Sequence, residues 1–152
     1  RPYDPAARSA MAQAALEAGL AFTNAILGAT HAMSHQAGGM LDLSHGVVNG
    51  VLLPHVIRFN GATVPERFVP IAQAMGLADL AGAPAEESVE RVAEEVRRLG
   101  DEVGVPKGLG DLGVTEADIP RLAQLTLGDA CLTTNPRPAS LTDVAALFRA
   151  AL

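Results

Sequence analysis

Helix-start signals recur along this chain, and nothing between them reads as a strand. Asp4-Pro5 has the form of an N-cap followed by a first-turn proline. Met11, Ala15, Leu16, Leu20, Ile26 and Leu27 then follow at roughly helical spacing. Gly28 either ends that helix or permits close packing. A short helix carrying Thr30 to Gln36 is expected to stop at the Gly38-Gly39 pair. Ser44 is placed to cap a third helix through Val47, Val51, Leu52 and Val56, which Pro54 should kink or interrupt. It has almost no charge before Arg58, so burial nearly all round is expected. Val64-Pro65-Glu66 opens a fourth helix ending near Gly76. Pro84, Glu86 and Glu87 open a fifth, amphipathic one, with Arg97 and Arg98 late in it, an order that suits the helix dipole. Gly104 to Gly113 reads as a loop. Thr115 with Asp118 opens a sixth helix. Thr134-Asn135-Pro136-Arg137-Pro138 reads as a rigid extended turn, and Ser140 with Asp143 caps a last helix to Leu152.

No βαβ unit can be built from this order. Alanine and leucine are abundant and aromatics make up only 3%, which favours helix over sheet. The expected fold is all-α, a helical bundle of about six to seven helices, with 1–152 as a single helical domain. At 152 residues, 49% hydrophobic and 18% charged, the chain has enough apolar material for a packed core.

The net charge of −6, with no Lys/Arg cluster, argues against nucleic-acid binding, which depends on neutralising phosphates. No run of about 18 apolar residues is present to form a membrane span, and no secretory signal is visible. The single cysteine, Cys131, cannot form an internal disulfide and gives no sign of an oxidising compartment, so cytoplasm is the expected location.

The chemistry-bearing segment runs from Gly28 to Gly46. It holds His31, His35 and His45, three of the four histidines of the chain. His31 and His35 are four apart and share a face on a helix. Neutral imidazole nitrogens suit Fe, Zn, Cu and Ni alike. Spacing alone leaves open whether these are metal ligands or ordinary half-buried side chains. It also does not say which two bind, the i,i+4 pair being the first guess by analogy with helical zinc pairs.

The surrounding residues add a resemblance. Phe22-Thr23-Asn24-Ala25, His31-Ala32-Met33-Ser34-His35, then Ser44-His45-Gly46-Val47-Val48-Asn49-Gly50-Val51-Leu52-Leu53-Pro54-His55 and Asn60 closely resemble the signature of the iron-containing (group III) alcohol dehydrogenases. Asp129-Ala130-Cys131-Leu132-Thr133-Thr134-Asn135-Pro136-Arg137-Pro138 resembles that family's closing motif, so the likeness spans essentially the whole chain. It implies the C-terminal, all-helical, metal-binding domain of an NAD(P)-dependent enzyme. The cofactors implied are Fe²⁺ (Zn²⁺ in some members) and NAD or NADP, with hydride passing between a small alcohol or aldehyde and the nicotinamide. It further implies that His31 and His45 are metal ligands. His35 is then not a ligand but lies beside nicotinamide and substrate, where it relays a proton or shapes the pocket. Gly38 and Gly39 serve backbone geometry and also permit close approach of the cofactor. His55 is expected to be structural, Asn49 to bond backbone inside the bundle, Cys131 to be a small core residue and Arg137 to anchor the C-terminal turn. Asp42 is a ligand by type but does not match the family's ligand position.

The likeness also exposes gaps. No glycine-rich segment follows a strand, and no Asp-x-x-x-His pair exists for the family's first two ligands. The isolated chain is therefore expected to bind metal weakly and to be inactive, with an N-terminal dinucleotide-binding domain or a split partner chain completing the site. A start at Arg1 and not at methionine favours a domain cleaved or excised from a longer enzyme over a split gene or a degenerate helical module. Two alternatives stay open: a maleylacetate-reductase-like member of the same fold, and a non-catalytic helical assembly module. A homodimer is plausible for the family and is not readable from the sequence.

Overall fold

The computed structural model describes residues 3–77, 80 and 82–152. The architecture is all-α. Among the described residues seven α-helices follow in order: α1 (Pro5–Ala25), α2 (Gly28–Leu41), α3 (His45–Gly61), α4 (Phe68–Ala74), α5 (Ala85–Val103), α6 (Ile119–Thr126) and α7 (Leu141–Ala150). Short 3₁₀ turns at Pro65–Arg67, Leu109–Leu112 and Ala130–Thr134 lie between them, and no strand occurs among the described residues.

Helix α3 is the axis on which the rest packs. Val48, Val51, Leu52, Val56 and Phe59 join Ala29, Met33, Leu109, Ile119, Leu122, Val144 and Phe148 in the larger core. Ile57 joins a second core made by Phe68, Ala72, Leu80, Val89, Val92 and Ala93. The approach of α5 to the end of α3 requires a glycine. A Cβ at Gly61 would lie 2.2 Å from Val89 Cγ1, well inside any real contact. The Gly104 φ of +82° supplies the left-handed C-cap that ends α5.

Several local expectations need correction. Pro54 does not interrupt α3; the helix is continuous through it and its ring is buried. Packing against both cores outweighs one lost backbone bond. Helix α2 runs through Gly38 and Gly39 to Leu41, and the left-handed turn is made by Asp42 (φ 54°, ψ 42°). A helical glycine costs only about 1 kcal/mol, and Ala37, Met40 and Leu41 pack against the core on either side of the pair. Arg97 and Arg98 are not in the last turn of α5, which extends to Val103. They pair instead with Asp101 and with Glu95 and Glu102. The glycine-rich loop contains a 3₁₀ turn, held because Leu109 N–H donates to the Ala151 carbonyl at 2.6 Å. Asp118 accepts from Thr115 N at 2.9 Å and Thr115 Oγ1 at 2.7 Å, but regular helix begins only at Ile119.

The predicted caps at the two ends of the chain form. Asp4 accepts from Ala6 N and Ala7 N, and Ser140 and Asp143 make a reciprocal capping box. Ser44 stands at the N-cap of α3 without using its side chain there. No residue of α1 is buried. It meets α2 at a bend of 100°, through positive φ at Ile26 and Gly28. Among the described residues no single helix is long and apolar enough to cross a membrane.

Candidate metal and cofactor site

Helix α2 turns Ala29, Thr30, Ala32, Met33, Ser34 and Ala37 inward and leaves His31 and His35 on its outer side. Helix α3 begins at His45 and brings that ring back alongside them. The three rings gather: His31 and His45 have centroids 5.1 Å apart, and His35 stacks on His45 at 5.4 Å with planes 18° apart. His35 meets His31 edge-on at 6.1 Å.

They divide by what they address. Asn49, one turn after His45 on α3, has Nδ2 3.0 Å from His45 Nε2 and 3.3 Å from His31 Nε2. An amide N–H donates, so both Nε2 atoms accept from the same Asn49 amide group. Asn49 Oδ1 is buried and has no hydrogen-bond partner, a costly state that a positive or donating group would relieve. Ser34, completely buried, sets the tautomer of His45. Its hydroxyl donates to the His45 carbonyl at 3.3 Å and accepts from His45 Nδ1 at 3.0 Å. The proton thus stays on Nδ1 and the lone pair on Nε2. Burial first, then the neighbouring His45 and His35, hold the His31 pKa below its usual value, which favours the neutral form a ligand needs. Two imidazole Nε2 atoms held on one amide group, beside a buried amide oxygen without a partner, are donors of the type a divalent first-row ion takes.

His35 looks elsewhere. Its Nδ1 donates to Asp129 Oδ2 at 3.0 Å, which leaves Nε2 free. Gln36 Nε2 donates to the same oxygen at 3.0 Å and Cys131 N–H to Oδ1 at 2.8 Å. Burial pushes the Asp129 carboxyl up, but the Cys131 backbone N–H and His35 outweigh it and hold the pKa low. Gly38 and Gly39 lie three and four residues beyond His35 on α2. A Cβ at Gly39 would meet nothing within 4 Å, and one at Gly38 only the Leu43 carbonyl at 3.4 Å. The outer side of α2 is therefore open.

Other singled-out residues fall outside this group. Burial first, then the charges of Arg58 and Arg97, lower the His55 pKa. Arg137 donates to the Phe59 carbonyl at 3.2 Å and covers the Phe59 ring at 4.1 Å, as an anchor does. Cys131 is half-buried at Asp129 and not in either core, contrary to expectation. Asn49 bonds imidazoles and not backbone. Sequence reasoning missed Ser34, Asn49 and Asp129 as members of the site. Ser34 was recoverable as a polar residue on an apolar helix face and Asn49 as the residue four after His45. Asp129, 94 positions from His35, carried no such signal.

The model of the Fe-containing alcohol dehydrogenase family, C-terminal, matches residues 1–152. The chain belongs to that family. It is 46% identical over 145 residues to a 1,3-propanediol dehydrogenase of Klebsiella pneumoniae, covering 95% of this chain and 37% of that relative. It is 40% identical over 148 residues to a lactaldehyde reductase of Escherichia coli, covering 97% and 38%. The solved alcohol dehydrogenase from Oenococcus oeni superposes with a TM-score of 0.85 at 36% identity, over 89% of this chain and 35% of that one. The chain thus spans little more than a third of the length of these relatives.

Proposed function

We propose that this chain is the metal-binding helical half of an NAD(P)-dependent, iron-type alcohol dehydrogenase acting on a small alcohol or aldehyde. The observation that carries the reading is the convergence of His31 Nε2 and His45 Nε2 on the Asn49 amide, with His35 beside them. Names of relatives such as propanediol dehydrogenase and lactaldehyde reductase support short, oxygenated substrates. The Ser44-His45-Gly46-Val47-Val48-Asn49 run favours alcohol dehydrogenases proper over maleylacetate reductases.

His31 and His45 would hold the cation, Fe²⁺ or Zn²⁺. When bound, it supplies Lewis acidity toward a substrate oxygen, and NAD or NADP supplies the hydride acceptor or donor. Ser34 keeps His45 in the ligating tautomer. His35, oriented by Asp129, presents Nε2 for exchanging a proton with a substrate hydroxyl. Gly38 and Gly39 leave room for the dinucleotide against α2. Two imidazoles leave a cation mostly water-bound, so an N-terminal dinucleotide-binding domain or a partner chain supplies the remaining ligands.

Calorimetric titration of the chain with Fe²⁺ or Zn²⁺ tests this. Micromolar or weaker binding is expected, lost in His31→Ala and in His45→Ala, with no NAD-linked turnover. Turnover should arise only when an upstream dinucleotide-binding domain is joined to the chain. Nanomolar affinity in the chain alone would overturn the half-site reading, and affinity indifferent to both substitutions would overturn the ligand assignment.

A further inference from the structure

Asp129 precedes the 3₁₀ turn at Ala130–Thr134 and Asn135 follows it. Both of these flanking residues are fastened to α2. Asp129 accepts from His35 Nδ1 and Gln36 Nε2, each at 3.0 Å. Asn135 Oδ1 accepts from Ala29 N–H, also at 3.0 Å. The turn therefore runs antiparallel to the helix, and Asp129 to Asn135 spans as many residues as Ala29 to His35. Rises of about 2.0 Å per residue in a 3₁₀ turn and about 1.5 Å in an α-helix are close enough for both ends to meet α2. We infer that Asn135, locked by Asn60, is a positioning residue for His35: it sets the register of the turn along α2 and so brings Asp129 opposite that imidazole. The inference rests on the proposed role of His35, and neither asparagine belongs to the site described above.

The Asn135 amide is fully engaged. Its Oδ1 accepts from Asn60 Nδ2 at 3.1 Å as well as from Ala29, and its Nδ2 donates to Asn60 Oδ1 and to the Arg137 carbonyl, each at 2.7 Å. An amide with both lone pairs and both hydrogens used is held in one orientation. Helix α2 needs this partner. Leu27 stands at its N-cap with no side-chain bond, so Asn135 satisfies an N–H that the local sequence leaves open. Gly28 admits it, since a Cβ there would lie 3.0 Å from Asn135 Oδ1. Asn60 ties the pair to the last turn of α3, where Arg137 also donates to the Phe59 carbonyl. Leu132 seats the middle of the turn on the larger core. Apolar contact is non-directional, so the hydrogen bonds at the two ends are what distinguish one register from the next.

Nitrogen NMR of the imidazoles tests this in the metal-free 152-residue chain, at about pH 8.5, where free imidazoles are neutral. The wild type should show His35 as the Nδ1–H tautomer, and Asp129→Ala should give the signature of its loss. Asn135→Ala should move His35 toward Nε2–H by at least half of that change, with the His55 signals in place. Asn60→Ala, which alters neither α2 nor the turn, should move His35 the same way by less. Circular dichroism checks folding, and if Asn135→Ala does not fold, Asn60→Ala decides alone. A His35 tautomer unchanged in the folded variants overturns the inference, as does Nε2–H in the wild type. A change shared equally by His55 also overturns it, since that is general loosening. With a dinucleotide-binding domain joined to the chain, Asp129→Ala and Asn135→Ala should lower turnover together. A tautomer change with turnover indifferent to both leaves the positioning intact and overturns the role proposed for His35.

Discussion

Helices α1 and α3 are both long and largely apolar, and they have opposite fates. Over its 17 residues α3 buries Val48, Val51, Leu52, Pro54, Val56, Ile57, Phe59 and Gly61. Over its 21 residues α1 buries none, and Met11, Leu16 and Leu20 stand 70%, 64% and 62% exposed. Neither is strongly amphipathic, so neither carries an instruction about which side faces a core. What separates them is neighbours. Helix α3 has α2, α5 and α7 around it, whereas α1 joins the rest through the bent Ile26–Gly28 link. Apolar character creates a demand for burial, and only packing meets it. Under the proposed function, the dinucleotide-binding domain or partner chain is the neighbour against which α1 packs.

The contrast can be broken by truncating one side chain in each helix. Leu52→Ala should cost roughly 3–5 kcal/mol of unfolding free energy, whereas Leu16→Ala should stay within about 0.5 kcal/mol. Urea denaturation reads both, and equal losses would mean that α1 packs in solution. The α3–α5 seam sharpens the same point from the overpacking side. Gly61→Ala should cost about 1–3 kcal/mol, because the new methyl meets Val89 on a packed helix face. Gly19→Ala in α1 meets nothing within 4 Å and should not destabilise the fold at all. The smallest effect is in pH. His55, on α3, has a folded pKa below its ordinary 6.5 through burial, Arg58 and Arg97. Its neutral form is retained in the fold, so stability is full above about pH 6.5 and falls as pH drops from there through the folded value. His55→Gln should flatten that part of the stability curve. An unchanged curve would place the acid sensitivity elsewhere.

Much of the local structure was legible because its causes are local. Asp4-Pro5, Ser140 with Asp143 and the Glu86–Glu87 first turn of α5 act within one turn of the chain, and each starts a helix where expected. The misreadings arose where packing overrode a local rule. Pro54 and the Gly38-Gly39 pair both lie inside helices that their neighbours hold together. The site shows the same division. His31, His35 and His45 stood out by spacing, but the residues that orient them did not.

Residue order alone determined the helical class, most helix starts and the gathering of three imidazoles within one short segment, because capping, periodicity and i,i+4 geometry are short-range effects. Tertiary structure alone decided that two of those imidazoles turn to Asn49 while the third turns to Asp129, 94 positions away. A ring nitrogen takes its role from whichever partner the fold brings within about 3 Å, and no sequence spacing encodes that distance.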